Sequence, residues 1–164
     1  MQRLARLAAI TFILTTASFA AAPADGVPHA GDSAPAFTSP RASGGNVSLS
    51  DFRGKPVYLN FFATWCGPCN DEAPSVGKLY QKYRARGLNV VGLNEYEDKG
   101  KALGFAQKYN WKFVIAVDDG GVANLYGAIA LPVHVFIDKQ GKVSTFRLGQ
   151  MDPSDIDAAI KKIL

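Results

Sequence analysis

The chain has 164 residues, 48% of them hydrophobic and 20% charged, with two cysteines and a formal charge of +4. That length suits one globular domain whose core stands without cross-links or a structural metal, so two cysteines do not mark a stapled miniprotein. The charged fraction and the 11% aromatic content exclude intrinsic disorder and a collagen-like fibre.

The amino terminus reads as an export signal. Arg3 and Arg6 precede the uncharged, mostly apolar Leu7 to Phe19, and the small residues Ser18 and Ala20 favour cleavage after Ala20. The alternative is an uncleaved anchor, although the apolar run is shorter than the ~20 residues that span a bilayer. No cysteine lies near the cleavage site, which excludes a lipoprotein anchor. Residues 1–20 are therefore assigned to a signal peptide, 21–33 to a flexible lead rich in Ala, Pro and Gly, and 34–164 to the folded domain. The expected location is the periplasm. Cleavage removes Arg3 and Arg6, half of the positive excess, and the remaining cations are scattered over helix faces. No nucleic-acid partner is expected.

In the domain, Phe37-Thr38 and Val47 to Leu49 flank Ser43-Gly44-Gly45 and predict a small hairpin. Val57 to Phe62 is a short apolar run of the kind that forms a strand buried on both faces. The spacing of Val76, Leu79, Tyr80 and Tyr83 predicts a helix from Cys69 to about Arg86, stopped by Gly87, with a kink expected at Pro74. A strand at Leu88 to Asn94, a helix carrying Ala102, Phe105, Ala106 and Tyr109, a strand at Phe113 to Val117 and a short helix at Val122 to Tyr126 follow. Val133 to Asp138 and Val143 to Leu148 form a hairpin across Lys139-Gln140-Gly141. A last helix starts at Asp152 with Pro153 in its first position and turns Ile156, Ile160, Ile163 and Leu164 to the core. Strands alternating with helices, then a hairpin and a helix, imply an α/β fold with a mixed sheet covered on both faces.

Both cysteines fall in Trp65-Cys66-Gly67-Pro68-Cys69, directly after the buried strand and at the opening of a helix, which is the context of a redox pair. Residues three apart in a first helical turn lie close enough for a disulfide. Unpaired amides and the positive end of the helix dipole favour a thiolate at Cys66. In the expected reaction Cys66 attacks a partner's disulfide and Cys69 resolves the mixed species. A purely structural bridge across so short a loop would add little stability. His134 shares side-chain parity with Pro132 and is expected behind the redox site near Asn60, as a satisfied core histidine rather than a catalytic one. Two cysteines and one well-placed histidine are too few to close a zinc site, so no metal is expected.

Trp65-Cys66-Gly67-Pro68-Cys69 after an apolar strand, with Leu131-Pro132 leading into Val-His-Val-Phe-Ile-Asp, resembles the thioredoxin superfamily. N-F-F-A-T-W-C-G-P-C, V-V-G-L-N and F-I-D-K-Q-G-K-V are similar to the extracytoplasmic TlpA/ResA/CcmG-type thiol-disulfide oxidoreductases over about residues 33–164. The resemblance implies a thioredoxin-like fold with an N-terminal β-hairpin extension and no cofactor. It makes Pro132 the cis-proline beside the cysteines and Trp65, Gly67, Pro68, Leu131 and Pro132 the substrate groove. Asn60 stands where thioredoxin has a buried Asp, and Gly92 where it has a Lys. An active-site acid after the second strand maps to Glu97, with Glu95 and Asp98 close enough to compete, or all three form an exposed acidic loop. The implied partners are disulfide-containing client proteins, such as apocytochromes c or oxidase and copper-assembly factors, and a membrane thiol-transporting electron donor. A monomer is expected. The rival readings are a redox-silent or metal-handling domain on the same fold, and a peroxidase, which is discounted because Ala63 replaces the Thr of T-x-x-C.

Overall fold

The computed structural model describes residues 26–164, so the predicted signal peptide (1–20) and residues 21–25 of the lead lie outside the described residues. The rest of the lead is already tied down before residue 34. Gly31 N donates to Val143 O, Val143 N donates to Asp32 O, and Ser33 bridges Lys142.

The elements follow in the order β1 (Thr38–Pro40), β2 (Asn46–Ser48), a 3-10 turn at Leu49–Phe52, β3 (Val57–Phe62), α1 (Gly67–Tyr83) and a 3-10 turn at Arg84–Arg86. Then come β4 (Asn89–Glu95), α2 (Lys99–Lys108), β5 (Val114–Asp118), α3 (Gly121–Leu125), β6 (Val133–Ile137), β7 (Val143–Leu148) and α4 (Pro153–Ile163). The five-stranded sheet runs β5-β4-β3-β6-β7, with β3, β4 and β5 parallel and β6 and β7 antiparallel to their neighbours. The hairpin β1–β2 forms a separate two-stranded sheet. This is a thioredoxin-like fold with a mixed sheet and an amino-terminal hairpin.

The central strand β3 is buried at every position, as its unbroken apolar run requires. Its alternate residues feed two cores. Tyr58 and Phe62 join Val76 and Tyr83 of α1, Phe105 of α2 and Ile156 and Ile160 of α4. Leu59 and Phe61 join Val91, Val135, Tyr126 and the hairpin residues Phe37 and Val47. Helix α1 begins two residues earlier than its periodicity predicts, because Gly67 and Pro68 need no apolar partner, and it continues through Pro74. At its far end Gly87 adopts φ 95°, the left-handed conformation in which glycine escapes the Cβ clash. Gly92 has a different reason for its identity: a Cβ there would lie 3.1 Å from Ile115 Cδ1 and 3.2 Å from Phe62 Cε1.

Candidate active site

Because β3 runs parallel to β4 and β5, their carboxyl ends share one edge of the sheet, and the chain crosses Ala63 to Trp65 there before entering α1. Cys66 is the N-cap of α1 in extended conformation, and Cys69 sits in the first turn. The two are joined in a disulfide with Cα atoms 5.3 Å apart. Cys69 N donates to Cys66 Sγ at 3.2 Å. After reduction the same amide and the helix dipole stabilise a Cys66 thiolate, the dipole contributing roughly 0.3–1 kcal/mol. Both cysteines are buried, while Trp65 is 69% exposed and Gly67 and Pro68 face solvent, so they form a rim over the disulfide.

The Leu131-Pro132 peptide bond is cis. The β3–β6 register pairs Phe61 with Val133, which sets Pro132 across from the end of β3 at the same edge as the cysteines. Leu131 is half-buried and Pro132 buried.

The loop before Cys66 is held from two sides. Glu97 accepts from Thr64 N at 2.7 Å, from Thr64 Oγ1 at 2.5 Å and from Asn94 Nδ2 at 2.9 Å. Burial pushes the Glu97 carboxyl up, but the Thr64 and Asn94 hydrogen bonds outweigh it and hold the group below the ordinary carboxylate range. A carboxylate so held is a poor acceptor for a thiol proton and a good tie between the β4–α2 loop and the motif. On the other side Asn70 donates from Nδ2 to Thr64 O at 2.9 Å and to Cys66 O at 2.8 Å, while its Oδ1 accepts from Tyr109 Oη at 2.7 Å and Lys108 Nζ at 3.2 Å. Of the two competitors to Glu97, Asp98 caps α2 by accepting from Lys101 N, and Glu95 is buried rather than in an exposed loop.

Behind the cysteines lies a buried polar cluster. Asn60 and His134 are cross-strand partners on β3 and β6, and His134 Nδ1 lies 2.7 Å from Tyr58 Oη. Asn60 Nδ2 lies 3.4 Å from Glu72 Oε1, and Glu72 Oε2 lies 3.4 Å from both His134 Nε2 and Met151 N. Glu72 is 4% exposed and one helical turn beyond Cys69 on the same face of α1. Sequence reasoning missed this acid. Its signal was present: Glu72 occupies a core-facing position among Cys69, Ala73 and Val76, where an unpartnered acid is costly. Asn70 was missed as well.

A thioredoxin-like sheet carrying a Cys-x-x-Cys pair at the amino end of a helix that follows its central strand defines a thiol-disulfide oxidoreductase. The chain belongs to the AhpC/TSA family, whose pattern matches residues 30–146. It is similar to the thiol-disulfide oxidoreductase ResA of Bacillus thuringiensis subsp. konkukian, with 38% identity over 81% of this chain and 78% of the relative. Among solved structures it is similar to a thiol:disulfide interchange protein DsbE from Chlorobium tepidum, with 35% identity, a TM-score of 0.77, and 83% of this chain and 98% of that one covered. A secreted Mycobacterium tuberculosis disulfide oxidoreductase homologous to E. coli DsbE matches at 28% identity with a TM-score of 0.70 over 77% of this chain and 95% of that one.

Proposed function

We infer that this protein is a reductase of disulfides in exported proteins, acting outside the cytoplasm through Cys66 and Cys69. The observation that carries the reading is the asymmetry of the pair. Cys66 occupies an N-cap under an exposed rim, whereas Cys69 lies buried in the first turn, three residues before the buried carboxylate of Glu72 on the same helix. Cys66 thiolate attacks one sulfur of the client disulfide, forming a mixed disulfide and releasing the other client sulfur as a thiolate that takes a proton. Cys69 then gives its proton to Glu72 and attacks Cys66 Sγ. The bond between Cys66 and the client breaks, and its electron pair leaves on the client sulfur, which is protonated in turn. The client gains two electrons and the enzyme ends as the Cys66–Cys69 disulfide.

Trp65, Gly67, Pro68, Leu131 and Pro132 line the groove that receives the client, and Glu97 keeps the Thr64 loop in place. Gly67-Pro68 between the cysteines matches thioredoxin, a reductant at about −270 mV. The basic and apolar pattern of residues 1–20 and the secreted relative support an extracytoplasmic site. No helix among the described residues is long and apolar enough to cross a membrane. By resemblance the clients are apocytochromes c or oxidase and copper-assembly factors, and a membrane thiol transporter supplies the electrons.

The test is covalent trapping. Cys69→Ala protein mixed with periplasmic extract accumulates disulfide-linked adducts that a reductant dissolves, and Cys66→Ala forms none. Adducts that depend on Cys69 instead would reverse the roles.

A further inference from the structure

His134 is fully buried and its place in the chemistry follows from counting donors. Asn60 Nδ2 lies 3.2 Å from Tyr58 Oη and 3.4 Å from both Glu72 Oε1 and His134 Nδ1. Turned the other way, the amide would set its own oxygen against the Glu72 carboxylate, so the nitrogen must face it. Tyr58 Oη therefore accepts from Asn60 and gives its hydrogen to His134 Nδ1. Burial, reinforced by the Glu72 charge, pushes the Tyr58 phenol well above its ordinary range, so that hydrogen stays in place at every working pH. With Nδ1 acting as acceptor, the ring hydrogen resides on Nε2. Among the described residues Nε2 has no hydrogen-bond partner, and Glu72 Oε2 lies 3.4 Å from it.

We propose that His134 is a positioning residue for the resolving step: its Nε2–H, fixed by Tyr58, holds Glu72 as the carboxylate that accepts the Cys69 proton. A buried carboxylate is costly without donors, and its two hydrogen-bond donors, Asn60 Nδ2 and Met151 N, are both long at 3.4 Å, which leaves the nearby Nε2–H dipole to offset part of the cost. Without that dipole the carboxylate, the only form that can take the Cys69 proton, loses part of what favours it in a buried site. The titratable groups near Glu72 are Tyr58 from β3 and His134 from β6, with Cys69 three residues before it on α1. The loop after β7 contributes only the Met151 amide, and the buried face of α4 is apolar Ile156, Ala159 and Ile160. The inference rests on the assignment of Cys69 as the resolving thiol.

The experiment is stopped-flow reaction of the reduced full chain with an aromatic disulfide that releases a coloured thiol, followed across pH 5 to 9. The first release reports attack by Cys66 and the second reports resolution by Cys69. In His134→Leu the acid limb of the second phase moves up by about one pH unit, a roughly tenfold loss of rate below the midpoint, while the first phase is unchanged. His134→Gln retains an N–H toward Glu72 and keeps a profile close to wild type. Tyr58→Phe, which frees the tautomer, moves the limb in the same direction by less, and serves if the leucine variant does not fold. A second phase in His134→Leu or Tyr58→Phe that superimposes on wild type overturns the proposal, as does a glutamine variant shifted as far as the leucine one. A wild-type protein with no second release would instead overturn the reading of Cys69.

Discussion

Glu95 offers the sharpest stability test, because the fold places two carboxylates side by side without a cation. It closes β4, is 2% exposed, and pairs across the sheet with Asp118 on β5. Both Asp118 oxygens are taken by amides, Val122 N at 3.0 Å and Ala123 N at 2.8 Å, whereas neither Glu95 oxygen has a hydrogen-bond partner among the described residues. Burial, followed by the charge of Asp118, raises the Glu95 carboxyl from 4.5 to about 8. Between those two values the unfolded chain has lost a proton that the native state keeps. Stability therefore falls as pH rises through this window, by about 1.4 kcal/mol for each unit. At pH 7, about 2.5 units above the lower value, the accumulated cost is about 3 kcal/mol. Glu95→Gln removes the titration and keeps an N–H that can be given to Asp118. Urea unfolding of wild type and variant with the disulfide intact, at pH 5, 6, 7 and 8, should give a difference that grows with pH in favour of the variant. A difference constant across that range would refute the reasoning.

Three further outcomes follow from the site and its support. Glu97→Gln should lower stability by about 1–2 kcal/mol, through weaker hydrogen bonds to Thr64 and Asn94, and leave the pH profile of the Cys69 step in place. A shifted profile would make Glu97 a proton acceptor instead. Asn70→Ala frees the Thr64 and Cys66 carbonyls and should slow client reduction at unchanged fold, read as the initial rate of insulin reduction. A rate equal to wild type would show that Glu97 alone holds the loop. Gly92→Ala forces a methyl against Ile115 and Phe62 and should cost about 1–3 kcal/mol in urea unfolding, with a loss near zero contradicting the packing described.

Much of this architecture was readable from local pattern. The apolar run of β3, the 3.6-residue spacing of α1 and α4, Pro153 after Asp152 and the hairpin turn before Lys142 each act over a few neighbours, and each appears within one to three residues of its expected place. The cysteine pair was legible for the same reason, since four adjacent residues and the elements around them define it. The partners that shape the site come from distant parts of the chain. Thr64 meets Glu97 across 33 positions, and Asn70 meets Tyr109 across 39. Glu72 is the plainest case: on a helix wheel it is one acid among core residues, and only the β3–β6 register shows that Asn60 and His134 lie opposite it.

The central claim is that the Cys66/Cys69 pair works as a reductant, and its reduction potential tests that most directly. Equilibration with glutathione or dithiothreitol buffers, read by Trp65 fluorescence or thiol alkylation, should give a value near the −270 mV of thioredoxin. A value near the −120 mV of DsbA would contradict the account and make the protein an oxidant.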